Sequence, residues 1–237
     1  MLGLIGTAAI TILSGCGPNS GPRWWRRLWS GKTAAASIPP CIVRPEQTEG
    51  PYFVDEKLNR ADIRSDPSDG SVKEGLPLRL TIRVHEITNN ACTPLAGARV
   101  DLWHCDAAGV YSDVRDRSFD TRGKKFLRGY QTTDTAGKAV FLTIYPGWYQ
   151  GRTVHIHFKI RTAPESRRGY EFTSQIYFDD AQTDQIHAHP PYNTKGQRTV
   201  KNQQDGIFND GGPELILQMT QEADGYAGTF DIGLEMT

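Results

Sequence analysis

The chain has 237 residues, of which 38% are hydrophobic and 10% aromatic, and its 27 basic and 27 acidic side chains give no net charge. A chain of this length can bury the core of one large domain or two small ones. Plentiful aromatic residues, and glycines without a triplet period, exclude collagen, coiled coil and wholesale disorder. No apolar run reaches the roughly 18 residues of a membrane-spanning helix, which excludes a polytopic membrane protein.

The charges are unevenly distributed along the chain. Residues 1–40 contain four basic side chains and no acidic one, so the remainder carries 23 basic against 27 acidic side chains. The four basic residues are Arg23, Arg26, Arg27 and Lys32, and three of the five tryptophans accompany them, at positions 24, 25 and 29. A basic, tryptophan-rich segment therefore precedes an acidic body.

The first 16 residues indicate an export signal. Residues 1–15 are uncharged, mostly apolar or small, and too few to span a membrane. Cys16 follows Leu-Ser-Gly, an ending that resembles the lipobox of bacterial lipoproteins, in which the cysteine is lipidated and becomes the mature N-terminus. No Lys or Arg precedes the apolar run, so either Met1 is not the true start or its amino group supplies the positive charge. We predict a periplasmic or cell-surface lipoprotein anchored in the membrane at Cys16; the alternative is a short buried or frayed N-terminal helix.

Residues 17–40 are rich in Gly, Pro, Ser and Ala, a composition that is typical of a linker. Its Trp/Arg cluster at residues 23–29 has the amphipathic chemistry of a segment that lies at a lipid headgroup surface. Binding of nucleic acid is disfavoured, because the body is acidic and the signal directs export. The sequence thus predicts a signal over residues 1–16, a basic linker over 17–40 and one domain over 41–237.

The cysteines allow one disulfide in the exported domain. If Cys16 is lipidated, Cys41, Cys92 and Cys105 remain, and three cysteines form one bridge and leave one free thiol. The spacing does not choose the pair. No two cysteines form a CxxC motif, which disfavours a zinc ribbon.

From Cys41 onward the hydrophobic period is two, as in half-buried strands. Residues 78–85 alternate strictly between apolar and polar side chains. Further strands are predicted at 98–103, 140–144, 154–160, 174–178 and 229–234. One short helix is predicted over 215–222, and residues 182–206 are predicted to form a long surface loop. Many short strands and little helix predict an all-β domain, an antiparallel sandwich or barrel.

The richest segment for chemistry is residues 145–160, which contains the pair His155 and His157. Residues two apart on a strand share a face, so the two imidazoles project together and make half of a metal site. Tyr149 and Tyr111 are candidates for the other half, since a tyrosinate is a hard anionic ligand and trivalent iron would lower the phenol pKa enough to ionise it. The alternative is that the histidines are ordinary hydrogen-bonded residues and the tyrosines are packing residues.

Several ordered motifs resemble those of the intradiol ring-cleavage dioxygenases, the non-haem iron(III) family of catechol and protocatechuate 3,4-dioxygenases. The resemblance covers about residues 41–210 and is closest to the small, exported, single-domain branch of the family. The motifs are PEQTEGPYF (45–53), VDLWHCDAAGVY (100–111), FLRG (126–129), the PGWY…R..HIHF run (146–158), QIYF (175–178) and DGIF (205–208). Their joint occurrence in order is what makes the resemblance specific.

The resemblance implies an antiparallel β-sandwich and an iron(III) ion held by four side chains: Tyr111, Tyr149, His155 and His157. Tyr149 would be ligand and base in turn, taking a catechol proton once it is displaced from the metal. Tyr145 competes for this role, but the Pro-Gly-x-Tyr alignment favours Tyr149. Arg152 matches an arginine that stabilises negative charge on the substrate ring, and Gln175 matches a glutamine of the substrate pocket.

The resemblance further implies that the enzyme cuts a catechol-type ring with O2 between its two hydroxylated carbons, giving a muconate-type diacid. The partners expected are this small molecule, O2 and a membrane contacted through Cys16, with no nucleic acid; no oligomeric state is predicted. The competing hypothesis is a non-catalytic, membrane-tethered β-sandwich binding module with incidental histidines. A metal-dependent hydrolase of another type is disfavoured, because no carboxylate or nucleophile motif accompanies the histidine pair.

Overall fold

The computed structural model describes residues 41–89, 91–166 and 169–236. The predicted signal at 1–16 and linker at 17–40 lie outside the described residues and stay predictions. Within the described ranges the chain forms nine strands, one α-helix and three short 3₁₀ helices. The elements are β1 (Pro77–Thr88), β2 (Ala91–Pro94), β3 (Arg99–Trp103), β4 (Arg128–Thr132), β5 (Lys138–Ile144), β6 (His155–Arg161), β7 (Glu171–Tyr177), α1 (Asp180–His187), β8 (Met219–Glu222), β9 (Gly225–Leu234) and the 3₁₀ helices Tyr192–Lys195, Asn202–Gln204 and Gly212–Leu215.

The strands form two sheets that enclose one core. In the first sheet the order is β2-β1-β9-β8, and β5 pairs with the first part of β1. The second sheet has the order β4-β3-β6-β7. Apolar side chains of both sheets belong to one buried cluster, in which the rings of Phe158 and Phe230 lie 5.5 Å apart. The prediction of an all-β sandwich with long loops and little helix is confirmed.

One strand pair departs from the antiparallel pattern. β1 and β9 run parallel, with Leu78 opposite Tyr226 and Glu86 opposite Leu234. Every other pair of these strands is antiparallel. Alternation along β1 correctly predicts its buried face, where four apolar side chains are 0% exposed: Leu78, Leu80, Ile82 and Val84. Alternation says which face is buried, but it carries no information about the direction of the neighbouring strand.

The prediction of a short helix over residues 215–222 is wrong. The chain forms the 3₁₀ helix Gly212–Leu215, which has a proline near its start, and then the strand β8. β8 pairs with β9 from Met219 opposite Gly228 to Glu222 opposite Gly225, so residues 223–224 form a tight hairpin turn. Tertiary pairing decides the conformation here, because a four-residue edge strand with mostly exposed side chains has no periodicity of its own.

The predicted loop at residues 182–206 contains helical structure instead. The helix α1 begins at Asp180, just before this range, and continues into it; its N-cap is Asp179, whose side chain accepts a hydrogen bond from the Gln182 amide. Its buried residues are only Thr183, Ile186 and His187, a stripe too narrow to stand out from the polar sequence around it. Within the part of the chain that the structure describes, no helix has both the length and the apolar character needed to cross a bilayer.

Among the three cysteines of the domain, the structure pairs Cys41 with Cys92 and leaves Cys105 free and buried. The bridge joins the beginning of the described chain to β2, across a sequence separation of 51 residues. It closes a long loop, which limits the freedom of the unfolded chain.

Candidate metal and substrate site

The two histidines of the site lie on the central strand β6. This strand pairs with β3 on one side and with β7 on the other, so its backbone is held along its length. Ile156 and Phe158 face the core, while His155 and His157 project from the opposite face, as the two-residue period predicts. Their Nε2 atoms lie 3.0 Å apart, and both side chains are buried. The Tyr149 hydroxyl lies 3.2 Å from the Nε2 atom of His155.

Tyr111 reaches the same place from the loop that follows β3. Its ring centre lies 5.7 Å from that of Tyr149 and 6.3 Å from that of His157. A tight turn precedes Tyr111. The Asp106 carboxylate stabilises this turn by accepting a hydrogen bond from the Val110 amide, and the turn includes a glycine at position 109 with φ of +81°. The Tyr111 hydroxyl is buried and has no hydrogen-bond partner in the described chain. The structure therefore brings together all four predicted ligands.

The two imidazoles are neutral and available as ligands. Burial lowers the pKa of His155 from 6.5 to about 3 and holds that of His157 well below 6.5, and the adjacent imidazole of His155 lowers the His157 pKa further. The Nδ1 atom of His155 lies 2.7 Å from the Thr153 carbonyl oxygen. A carbonyl can only accept a hydrogen bond, so this nitrogen carries the proton and Nε2 presents its lone pair to Tyr149 and His157.

The two phenols need a cation in order to ionise. Burial raises the pKa of Tyr149, although the charge of Arg152 opposes the shift. Burial also raises the pKa of Tyr111, and the neighbouring Tyr149 raises it further. A bound multivalent cation is the largest local charge in such a site and reverses this preference.

The donor set fits trivalent iron. In the described ranges no group of three or more His, Cys, Asp and Glu side chains is arranged to hold a metal ion, and the oxygen donor beside the histidine pair is a phenol, that of Tyr149. The unpartnered Tyr111 hydroxyl and the facing lone pair of His155 are what such a centre requires. Two hard oxygen donors and two imidazoles suit iron in its oxidised state.

Arg152 and Gln175 form a hydrogen-bonded chain beside the four candidate ligands. The Nη2 atom of Arg152 donates to the Gln175 side-chain oxygen at 2.7 Å, and its Nε donates to Asp205 at 2.8 Å. Gln175 in turn donates to the Thr48 carbonyl at 2.9 Å. Tyr177 lies beside this chain, with its hydroxyl 3.0 Å from the Gln175 oxygen. The guanidinium is thereby held in one orientation.

Sequence reasoning did not assign a role to Asp205. Its side chain is 1% exposed, and one oxygen accepts from both Arg152 and the Thr153 amide, each at 2.8 Å. The other oxygen accepts from the amides of Ile207 and Phe208. Asp205 thus joins Arg152 to the entry of β6 just before His155. An acidic residue inside the DGIF motif was the available signal, but its partner lies 53 positions away.

Residues 45–53 cross the outer side of these histidines. At Gly50, whose φ is +72°, an added Cβ would lie 3.3 Å from the Cε1 atom and 3.7 Å from the Nε2 atom of His157, so glycine suits both the backbone conformation and the close approach to this imidazole. Tyr52 stacks on Tyr111 with ring centres 4.4 Å apart, and its hydroxyl donates to Asp116 at 2.8 Å. Tyr52 therefore supports the proposed ligand and lines the approach to it.

A cleft of about 780 Å³ opens beside Tyr111 and Tyr149. It has an aromatic part formed by Tyr52, Phe119 and Trp148, and a polar part that includes Arg117, Gln150, Lys195 and Thr199. Pockets of roughly 300–1,000 Å³ enclose drug-sized ligands. The cleft therefore has room for a ring-sized molecule beside the two tyrosines.

Tyr145, His104 and His187 support the fold instead. Tyr145, the competitor for the second tyrosinate, lies apart, with its hydroxyl 2.6 Å from that of Thr183. His104 makes hydrogen bonds that support the fold, to Thr143 at 2.6 Å and to the Cys105 carbonyl at 2.8 Å. His187, at the end of α1, bonds to a main-chain carbonyl at position 146.

Comparison with known proteins identifies the family. The family model described as dioxygenase matches residues 48–234. The structure of an intradiol ring-cleavage dioxygenase from Tetranychus urticae superposes with a TM-score of 0.71 at 32% identity, covering 82% of this chain and 95% of that one.

Curated relatives agree with these matches over a shorter stretch. The catechol 1,2-dioxygenase of Candida albicans is 32% identical over 133 residues, which is 47% of this chain and 41% of that protein. The protocatechuate 3,4-dioxygenase beta chain of Burkholderia cepacia is 30% identical over 148 residues, which is 59% of this chain and 61% of that one. The match thus spans less than two thirds of either relative. On the family match, the fold and the shared motifs, this chain belongs to the intradiol ring-cleavage dioxygenases.

Proposed function

We propose that this protein is an iron(III)-dependent intradiol dioxygenase that cleaves a catechol-type ring with O2 to a muconate-type diacid. The observation that carries the proposal is the convergence of two tyrosines and two neutral histidines beside an open cleft. The family generally uses non-haem iron(III), and relatives of this chain bear the names of dioxygenases acting on catechol and protocatechuate. Both atoms of O2 would enter the product, one on each of the two carbons that separate.

Three side chains would hold the metal throughout: Tyr111, His155 and His157. Iron(III), when bound, supplies a Lewis acid that withdraws electron density from the catecholate and so opens the ring to O2. Tyr149 differs from these three because it is only partly buried where it lines the cleft, so it faces the incoming substrate, whereas the other three side chains are buried. Its oxygen would accept one of the two catechol protons, which makes Tyr149 ligand and base in turn.

Arg152 would stabilise the negative charge that develops on the ring. Its charge already acts on the Tyr149 phenol and favours the ionised form. Because Asp205 and Gln175 hold the guanidinium in place, little reorganisation is needed when charge appears. Gln175 is buried and would act by accepting a hydrogen bond from Arg152, which holds the guanidinium in place.

The cleft supports a catechol that carries a ring substituent. Its volume of about 780 Å³ exceeds the needs of a single ring, and its aromatic part, Tyr52, Phe119 and Trp148, offers surfaces for stacking. We propose substituted catechols as the substrate class, which a panel of catechol and larger 4-substituted catechols would rank by kcat/KM.

Loading the purified protein with iron(III) is expected to give a red to burgundy colour and O2 consumption with catechols, one O2 per ring cleaved. The colour arises from charge transfer between the two tyrosinates and the metal, so it reports the ligands directly. Visible absorption, metal analysis and an oxygen electrode supply the measurements. A colourless protein that binds iron stoichiometrically would refute the tyrosine ligands, and a coloured protein without O2 uptake on any catechol would favour the binding-module alternative.

We further propose that the protein is exported and anchored through Cys16. The disulfide between Cys41 and Cys92 supports export, because such bonds persist in oxidising compartments. Expressed in a bacterium, the wild-type chain is expected in the membrane fraction, and Cys16→Ala in the soluble fraction or unprocessed. Identical fractionation together with identical processing of the two proteins would refute the anchor.

A further inference from the structure

Lys195 bridges two loops of the candidate site. It ends the 3₁₀ helix Tyr192–Lys195, and its Nζ donates to the main-chain carbonyls of Ala108 and Trp148, each at 2.8 Å. The ammonium also lies 4.7 Å from the centre of the Trp148 ring, within the range of a cation–π contact. One cation thus holds two carbonyls and an indole.

The two carbonyls belong to the loops that carry the two candidate tyrosine ligands. Ala108 lies three residues before Tyr111, and Trp148 immediately precedes Tyr149. Among the hydrogen bonds of the described residues, Lys195 is the one side chain from outside the two loops that bonds to both of them. Lys195 therefore acts on the pair rather than on either tyrosine alone.

The two loops approach each other closely beside this ammonium. At Gly109, whose φ is +81°, a Cβ would lie 2.2 Å from the Trp148 carbonyl oxygen and 2.5 Å from the Lys195 Nζ. Glycine at this position is thus required both by the backbone conformation and by the close approach. Two hydrogen bonds also join the loops directly: the Gly147 amide donates to the Asp106 carbonyl at 3.2 Å, and the Cys105 thiol donates to the Gly147 carbonyl at 3.5 Å.

We infer that Lys195 is a positioning residue that sets the separation of the Tyr111 and Tyr149 phenols. The inference rests on the proposed function, since it concerns the geometry of the proposed ligands. The ammonium makes charge-assisted bonds to both carbonyls, which are stronger than bonds between neutral groups. Without it the loops move apart, the phenol oxygens shift, and a misplacement of about 1 Å costs about 100-fold in rate.

The test compares Lys195→Met with Lys195→Arg and with the control Lys201→Met. Methionine keeps an unbranched apolar stem but donates no hydrogen bond, and arginine restores a cation with donors. The control removes an ammonium that donates to Asp184 on the surface. For each iron(III)-loaded protein, the measurements are the position of the tyrosinate charge-transfer band, the rate of iron loss to a chelator, kcat and KM.

Lys195→Met is expected to shift the band, to lose iron about 10-fold faster and to lower kcat by about 10- to 100-fold. The values measured for Lys195→Arg are expected to lie between those of Lys195→Met and those of the wild type. The values for Lys201→Met are expected to match those of the wild type. The inference would be overturned if Lys195→Met had the same band position, rate of iron loss and kcat as the wild type, or the same values as Lys195→Arg. If Lys195→Met does not fold, Lys195→Ala, which removes the ammonium and all its N–H donors, takes its place under the same criteria. A wild-type protein that binds iron without the band would instead refute the proposed function, and the inference with it.

Discussion

Replacing Tyr149 with phenylalanine is expected to lower kcat by about 10²- to 10⁴-fold while the protein keeps most of its iron. The substitution removes the hydroxyl that lies 3.2 Å from His155 and faces the cleft, and with it the group that would accept a catechol proton. Three ligands remain, because Tyr111 lies in the loop after β3, the two histidines lie on β6, and all three side chains are buried. Iron content by metal analysis and turnover by O2 uptake measure the two effects.

The matched control is Tyr145→Phe. This tyrosine lies four residues earlier in the same segment, but its hydroxyl meets Thr183 rather than the histidines. Its loss removes one buried hydrogen bond, a cost of about 1 kcal/mol in the free energy of unfolding, and leaves kcat within a few-fold of the wild type. Two results would contradict the dual role of Tyr149: parallel loss of iron and turnover in its variant, or the same loss of turnover in the control.

Replacing Asp205 with asparagine is expected to lower both stability and turnover. The carboxylate is 1% exposed and accepts from Arg152 and from three main-chain amides, those of residues 153, 207 and 208. Asparagine has the same shape, but it leaves the guanidinium, itself only 16% exposed, without its counter-charge. Breaking a buried ion pair costs about 3 kcal/mol in the free energy of unfolding. Arg152 also loses its orientation, so kcat should fall by at least about 10-fold.

The stability deficit of this variant should depend on pH. Burial opposes ionisation of Asp205, but the Thr153 amide and the Arg152 charge outweigh it and hold the pKa below its usual 3.8. A carboxylate with a depressed pKa stabilises the folded state above its unfolded pKa, and this stabilisation disappears as the pH falls through the folded value. The difference between wild type and variant should therefore be full at neutral pH and shrink below about pH 4.

Urea unfolding at pH 7 and in acid measures this difference, and Asp120→Asn serves as the control. Asp120 pairs with Arg122 at 2.7 Å, but their side chains are 45% and 63% exposed, so solvent screens the pair and its loss should change the free energy of unfolding little. Equal destabilisation by the two substitutions would show that burial of the Asp205 pair has no special effect.

The strands and the histidine pair could be predicted from the sequence because their signals are local. The two-residue period marks β1, and the same period places His155 and His157 on one face of β6. Short and polar elements gave no such signal, so the helix α1 was missed and the edge strand β8 was mistaken for a helix. In both, few side chains are buried, and contacts with the rest of the domain decide the conformation.

By itself, then, the sequence determined the all-β architecture, the paired histidines and, through its ordered motifs, the family. Only the tertiary structure decided that Cys41 pairs with Cys92, that Asp205 holds Arg152, and that Lys195 joins the loops of the two phenols. The physical reason is the same in each case. A strand pattern repeats every two residues and can be read locally, whereas these partners are separated by about 50 or more positions and meet only when the chain folds.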